Sequence, residues 1–192
     1  VYEVLYSGVS ESLRNCLVFD TEIECAYLVG DFAIETDADF TPDARHSECY
    51  SGTFTLAAQK PQVNVRDVVR DGYPFFGGHL HVSFPYMYKA GEPTVLKLDG
   101  RFATCAVTVN GVPAGEMLFA RELDLAAYLR EGENEITLDV ANAMRNLMGP
   151  HHRHDPEPYG VGPGTFSFEK EWHGRECPGY VDRYAFVRFG IE

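Results

Sequence analysis

Residues 103–117, ATCAVTVNGVPAGEM, decide the fold. Side chains of an extended chain point alternately to its two faces. Here Cys105, Val107 and Val109 share one face and Thr104, Ala106 and Thr108 the other, the pattern of a half-buried strand. Asn110-Gly111 follows, the pair that best tolerates positive φ at both central positions of a tight turn, so the chain is predicted to double back as a hairpin. Residues 135–141, EITLDVA, repeat the alternation, with Ile136, Leu138 and Val140 inward and Thr137 and Asp139 outward. Gly132 and Asn134 predict a tight turn into that strand.

Working outward, His79–Met87 and Thr94–Leu98 read as strands, with KAGEP (89–93) and Asp99-Gly100 as turns. DGYPFFGG (71–78) reads as a loop with aromatic cargo. Upstream, strands are expected at Val1–Ser7, Leu17–Ala26, Tyr27–Glu35 and Glu48–Leu56, with a polar loop over Thr36–Ser47. The best helical candidate, Asp124–Leu129, is a turn or two long and stops at Gly132. Arg145–Glu192, rich in Gly, Pro, His and aromatics, reads as a long ordered loop returning to a last strand at Tyr184–Ile191. Many short strands separated by turn residues predict an all-β sandwich or barrel. No repeat or low-complexity linker divides the chain, so one domain over 1–192 is expected: leading strands and loop over 1–47, a core sandwich over 48–144, and the long loop with its closing strand over 145–192.

The chain has 192 residues and a formal net charge of −13. Nucleic-acid binding needs clustered Lys and Arg to displace counterions from phosphates, and this balance argues against it. It also disfavours anionic membrane surfaces, and no apolar stretch is long enough to span a bilayer. Neutral or cationic partners fit. The five cysteines, Cys16, Cys25, Cys49, Cys105 and Cys177, form no CxxC pair. Reduced thiols are the expectation, and with them a cytoplasmic parent. Beginning at Val1, with no basic n-region, the sequence reads as a fragment of a longer protein.

The segment Gly77–Asn142 resembles the galactose-binding-like, sugar-binding sandwich domain that accompanies many glycoside hydrolases. The resemblance is carried by GGHLHVSF (77–84), VLKLDGRFATCAVTVNGVPAGEM (95–117) and LDLAAYLREGENEITLDVAN (123–142). It implies a jelly-roll β-sandwich without catalytic residues. LRNCLVFDTEIECAYLVGDFAIET (13–36), RNLMGPHH (145–152) and VGPGTF (161–166) look like the C-terminal region of large rhamnosidase-like hydrolases. That likeness implies an N-terminal catalytic domain of the same chain as partner. Arg145, at the head of the tail, is also a carbohydrate-contact candidate.

Candidate chemistry concentrates in GPHHRHDPE (149–157). Neighbouring side chains of an extended chain diverge, so His151 and His152 point apart, whereas His152 and His154 converge with Asp155 or Glu157. A metal is one reading of that loop. A polar loop that touches sugar or a neighbouring domain is the favoured one, with His151, His152 and His154 as contacts. The single tryptophan, Trp172, is a sugar-stacking platform or the buried anchor of a long loop. Tyr73, Phe75 and Phe76 carry the same ambiguity. Glu169 and Glu171, alternating on an extended chain, would stand about 7 Å apart, within the range of an inverting carboxylate pair. His79 and His81 form an H-x-H on one strand face, the spacing of a cupin-like metal-dependent enzyme, but Ser83, Phe84, Pro85 and Tyr86 stand where that pattern needs a carboxylate. No cofactor motif is present. A structural calcium would draw on Asp37, Asp39 and Asp43, which lack EF-hand spacing. The sequence thus favours a non-catalytic ancillary β-sandwich of a glycoside hydrolase, for domain packing and carbohydrate contact, over the cupin-like enzyme and over an interaction module without a small ligand.

Overall fold

The computed structural model describes Gly8 and residues 26–153, 156–160 and 181–192. The elements are β1 (Phe32–Thr36), β2 (Thr41–Pro42), β3 (Ser47–Tyr50), β4 (Phe54–Ala58), β5 (His79–Tyr88), β6 (Val95–Lys97), β7 (Gly100–Arg101), β8 (Thr104–Val109), β9 (Val112–Met117), β10 (Glu122–Asp124), β11 (Gly132–Ala141), the one-turn helix α1 (Arg145–Met148), β12 (Tyr184–Val187) and β13 (Gly190–Ile191). A 3-10 turn at Ala44–His46 joins β2 to β3. The architecture is mostly β, in several antiparallel sheets. Two compact units form. One takes the chain up to Lys60 together with Gly149–Phe186; the other takes Pro61–Met148 with Val187–Glu192.

The second unit is built on the sheet β5-β11-β8-β9. The alternating residues of β8 and β11 pair across it, Val140 with Cys105, Leu138 with Val107 and Ile136 with Val109, and all six are buried. Asn110 and Gly111 have φ of 51° and 78°, and Val109 pairs with Val112 across them, so the expected two-residue hairpin forms. Leu98, Phe102, Leu125, Phe189 and Ile191 complete the core, together with Val68 and Val69. Phe76 stacks on Phe189, ring centroids 5.5 Å apart, so this aromatic of the 71–78 loop serves packing.

The first unit contains the ribbon β1-β4 and the sheet β12-β3-β2. Its core is aromatic. Tyr50 and Phe186 are fully buried. Tyr50 lies 5.0 Å from Phe40 and 4.7 Å from Phe54, and Phe54 meets Tyr184 edge-on at 4.8 Å.

Several boundaries differ from expectation. Tyr27–Asp31 is not strand; β1 begins at Phe32. Glu48–Leu56 is two strands, because Asp37 accepts hydrogen bonds from Thr53 N at 2.8 Å and Thr53 Oγ1 at 2.5 Å and breaks the run into a turn. The 36–47 loop contains β2 and the 3-10 turn. Asp124–Leu129 is a single hydrogen-bonded turn, capped by Asp124 Oδ1 accepting from Ala126 N, and not a helix. Gly100–Arg101 is paired as β7, so Asp99-Gly100 is not a free turn. The closing run divides into β12 and β13, which join different sheets. The expected strands Val1–Ser7 and Leu17–Ala26 lie outside the described residues, Ala26 excepted.

Candidate functional site

The loop singled out by the sequence is partly described. His154, Asp155, Glu169, Glu171 and Trp172 lie outside the described residues. His151 and His152 are half-buried beside β12. Ala185 N donates to His151 O at 2.9 Å, and His152 Nδ1 lies 3.2 Å from Val181 O. The His152 ring is 4.4 Å from that of Tyr184, and the His151 ring 5.4 Å from that of Phe186. Both imidazoles therefore pack on the aromatic core of their unit. Glu157 is buried, and its carbonyl accepts from Arg45 Nη1. The Arg45 guanidinium lies 3.9 Å over the ring of Tyr159, which is 93% exposed. Arg145 opens α1 in the other unit, where the next residue, Asn146, exchanges two 2.8 Å hydrogen bonds with the backbone of Val187.

His79 and His81 stand on the exposed face of β5, opposite Ala141 and Asp139 of β11. Asp139 Oδ1 is 2.8 Å from His79 Nδ1 and 3.5 Å from His81 Nδ1, with ring centroids 6.4 Å apart. The two imidazoles straddle one carboxylate oxygen. A shared metal ion would instead need both nitrogens about 2.0–2.1 Å from one point. Among the described residues no three His, Cys, Asp or Glu side chains are grouped to hold a metal ion.

Two of the three aspartates weighed for calcium, Asp37 and Asp43, are occupied by the chain itself. Asp37 Oδ1 accepts from Tyr50 Oη and Thr53 N, both at 2.8 Å. These bonds, led by those from Thr53, hold its carboxyl down at about 2. Asp43 Oδ1 accepts from Ala44 N at 2.8 Å, and its other oxygen lies 3.4 Å from Cys49 Sγ and 3.7 Å from Arg183 Nη2.

Sequence reasoning missed a groove in the second unit. It is open, has a volume of about 720 Å3, and is walled by Ser83 and Pro85 of β5, by Asn110 of the hairpin turn, and by Arg130, Glu133 and Glu135 at the entry to β11. Its frame is an asparagine pair. Asn134 is 1% exposed. Its Oδ1 accepts from Asn110 Nδ2 at 2.9 Å and from Arg130 N at 3.0 Å, while its Nδ2 donates to Arg130 O at 2.8 Å and Gly132 O at 3.0 Å. Asn110 Oδ1 accepts from Glu135 N at 3.1 Å. The left-handed Asn110 is thus locked onto β11. The only sequence signal for this site was the alternation of Glu133, Asn134 and Glu135, which places two carboxylates on the face opposite a buried amide.

No protein-family model and no curated protein matches the chain. Two solved structures are similar to it. A β-D-glucuronidase from Dictyoglomus thermophilum is 18% identical over 60% of this chain and 19% of its own, with a TM-score of 0.32. A rhamnosidase from Novosphingobium sp. PP1Y is 20% identical over 87% of this chain and 16% of its own, with a TM-score of 0.37. The chain spans less than a fifth of the length of either. Overlays this loose leave the fold to be argued from the strands themselves.

Proposed function

We propose that this chain is a non-catalytic ancillary β-domain of a glycoside hydrolase, a jelly-roll sandwich of galactose-binding-like type that packs against a catalytic domain of the same polypeptide and contacts carbohydrate. One observation carries the reading. The three segments whose sequence resembles the hydrolase-associated sandwich, 77–84, 95–117 and 123–142, hold His79–Phe84 of β5 and, but for Glu122, all of β6 to β11, so every strand of the main sheet draws on them. The pairs β6-β10 and β7-β13 supply further antiparallel strands of the kind a second layer needs. In this reading residues 1–192 serve as one accessory domain. His151, His152, His154, Arg145 and Trp172 are its candidate sugar contacts.

The decisive test is the complete reading frame that encodes the chain, followed by co-expression with whatever precedes Val1. A hydrolase domain upstream that loses solubility or thermal stability when this chain is deleted supports the role. A reading frame with no such domain overturns it.

A further inference from the structure

We propose that the groove between Pro85, Arg130 and the Glu133/Glu135 pair binds a hydroxyl-rich, non-acidic saccharide unit. All four hydrogen bonds of the Asn134 amide are internal, so the frame is rigid but presents nothing to a ligand. Ser83 Oγ is committed to Thr137 Oγ1 at 2.9 Å. Three charged side chains remain. Arg130 spends one donor, Nε to Glu133 O at 3.4 Å, and keeps its other guanidinium hydrogens for a ligand. The carboxylates of Glu133 and Glu135 engage no hydrogen bond or ion pair among the described residues.

Their placement fits a sugar. Residues two apart on a strand share a face and stand about 7 Å apart. Two acceptors at that separation span the hydroxyl groups on either side of one pyranose ring, with the guanidinium donating to a third oxygen. Pro85 pairs opposite Glu135, and its exposed ring supplies an apolar surface for sugar C–H groups. The sign of the charge restricts the ligand further. Two carboxylates face one guanidinium on a chain of net charge −13, so a uronic acid meets repulsion while neutral and amino sugars do not. A bound cation is a poorer match, because no three-ligand group exists here among the described residues. The donor and acceptor geometry stands on its own; the choice of a saccharide over another polyol rests on the accessory-domain reading.

The test uses the full 192-residue chain on a glycan array carrying neutral, amino and acidic oligosaccharides, followed by amide-shift mapping and calorimetry with the best binder. The expected result is binding to neutral or amino sugars, with shifts at Ser83, Glu133 and Glu135. The double variant Glu133→Gln/Glu135→Gln weakens it at least tenfold, and Arg130→Ala does so independently. All three positions are exposed, so an unchanged unfolding midpoint certifies the fold. No binding on the array, a preference for acidic glycans, or unaltered affinity in the variants overturns the proposal. Binding that maps to His152 with a silent groove overturns it too, while leaving the accessory role standing. An upstream reading frame without a hydrolase, with the groove still binding, separates the two in the other direction.

Discussion

Two side chains show how single residues set local structure. Asn134 is almost fully buried and makes four hydrogen bonds, so truncation strands Arg130 N, Arg130 O, Gly132 O and Asn110 Nδ2 together. Asn134→Ala is expected to cost about 3 kcal/mol, the scale of a buried network left unsatisfied. Urea unfolding of the variant checks this, and a loss under about 1 kcal/mol would show that water replaces the amide. Asp37 acts at the surface through the ionised form. Its carboxyl is held at about 2, from an ordinary value of 3.8, chiefly by the bonds from Thr53 and then Tyr50. A depressed acid stabilises the fold above its unfolded value and loses that contribution as pH falls through the folded value. The stability gap between the native chain and Asp37→Asn should therefore be constant above about pH 5 and close between about pH 4 and pH 2. Acid titrations of the two proteins test it; a gap independent of pH would mean that the neutral amide serves Thr53 equally well.

At the scale of elements, legibility in the sequence tracked how local the determinant was. The β8-β9 hairpin and β11 were readable because alternation and a positive-φ dipeptide act within a few residues. The division of 48–56 into β3 and β4 was not, because the Asp37 carboxylate that bonds Thr53 comes from 16 residues upstream. The division of 184–191 was hidden for a similar reason. Gly190 packs so tightly that an added Cβ would collide with the backbone carbonyl of Arg66, while Ile191 N donates to Val65 O at 2.8 Å and Val68 N to Phe189 O at 3.0 Å. Contacts with residues over a hundred positions away thus fix the pairing of β13. Gly190→Ala should accordingly destabilise the second unit by about 2 kcal/mol or more, since backbone, unlike a flexible side chain, cannot yield cheaply. Gly111→Ala meets open space and strains only its φ of 78°, so it should cost about 1 kcal/mol. Thermal melts that reverse this order would refute the packing argument. The groove was illegible in the same sense: it forms only when Asn110 meets Asn134, 24 residues away. So was the His79–Asp139–His81 arrangement, which depends on the register of β11 against β5.

For the molecule as a whole, the interleaving of the two units has a consequence for unfolding. The chain passes between them at 60/61, 148/149 and 186/187, and each unit has its own core. Among the described residues each core also holds one buried free thiol, Cys49 in the first and Cys105 in the second. Burial raises both thiols above their ordinary value, Cys105 to about 11, so neither presents much thiolate at neutral pH while its core is closed. Alkylation of each thiol thus reports the opening of its own unit. Asn134→Ala weakens the second unit and should speed labelling of Cys105 in sub-denaturing urea by tenfold or more, with Cys49 little changed. Tyr50→Phe removes a hydroxyl whose one hydrogen lies between two acceptors, Asp37 Oδ1 at 2.8 Å and Thr53 O at 2.6 Å, and should do the converse. Peptide mass spectrometry after timed alkylation separates the two sites in one sample. If both thiols accelerate together in either variant, the three crossings couple the cores into one cooperative fold. If they respond separately, the chain can lose one core to local opening and keep the other.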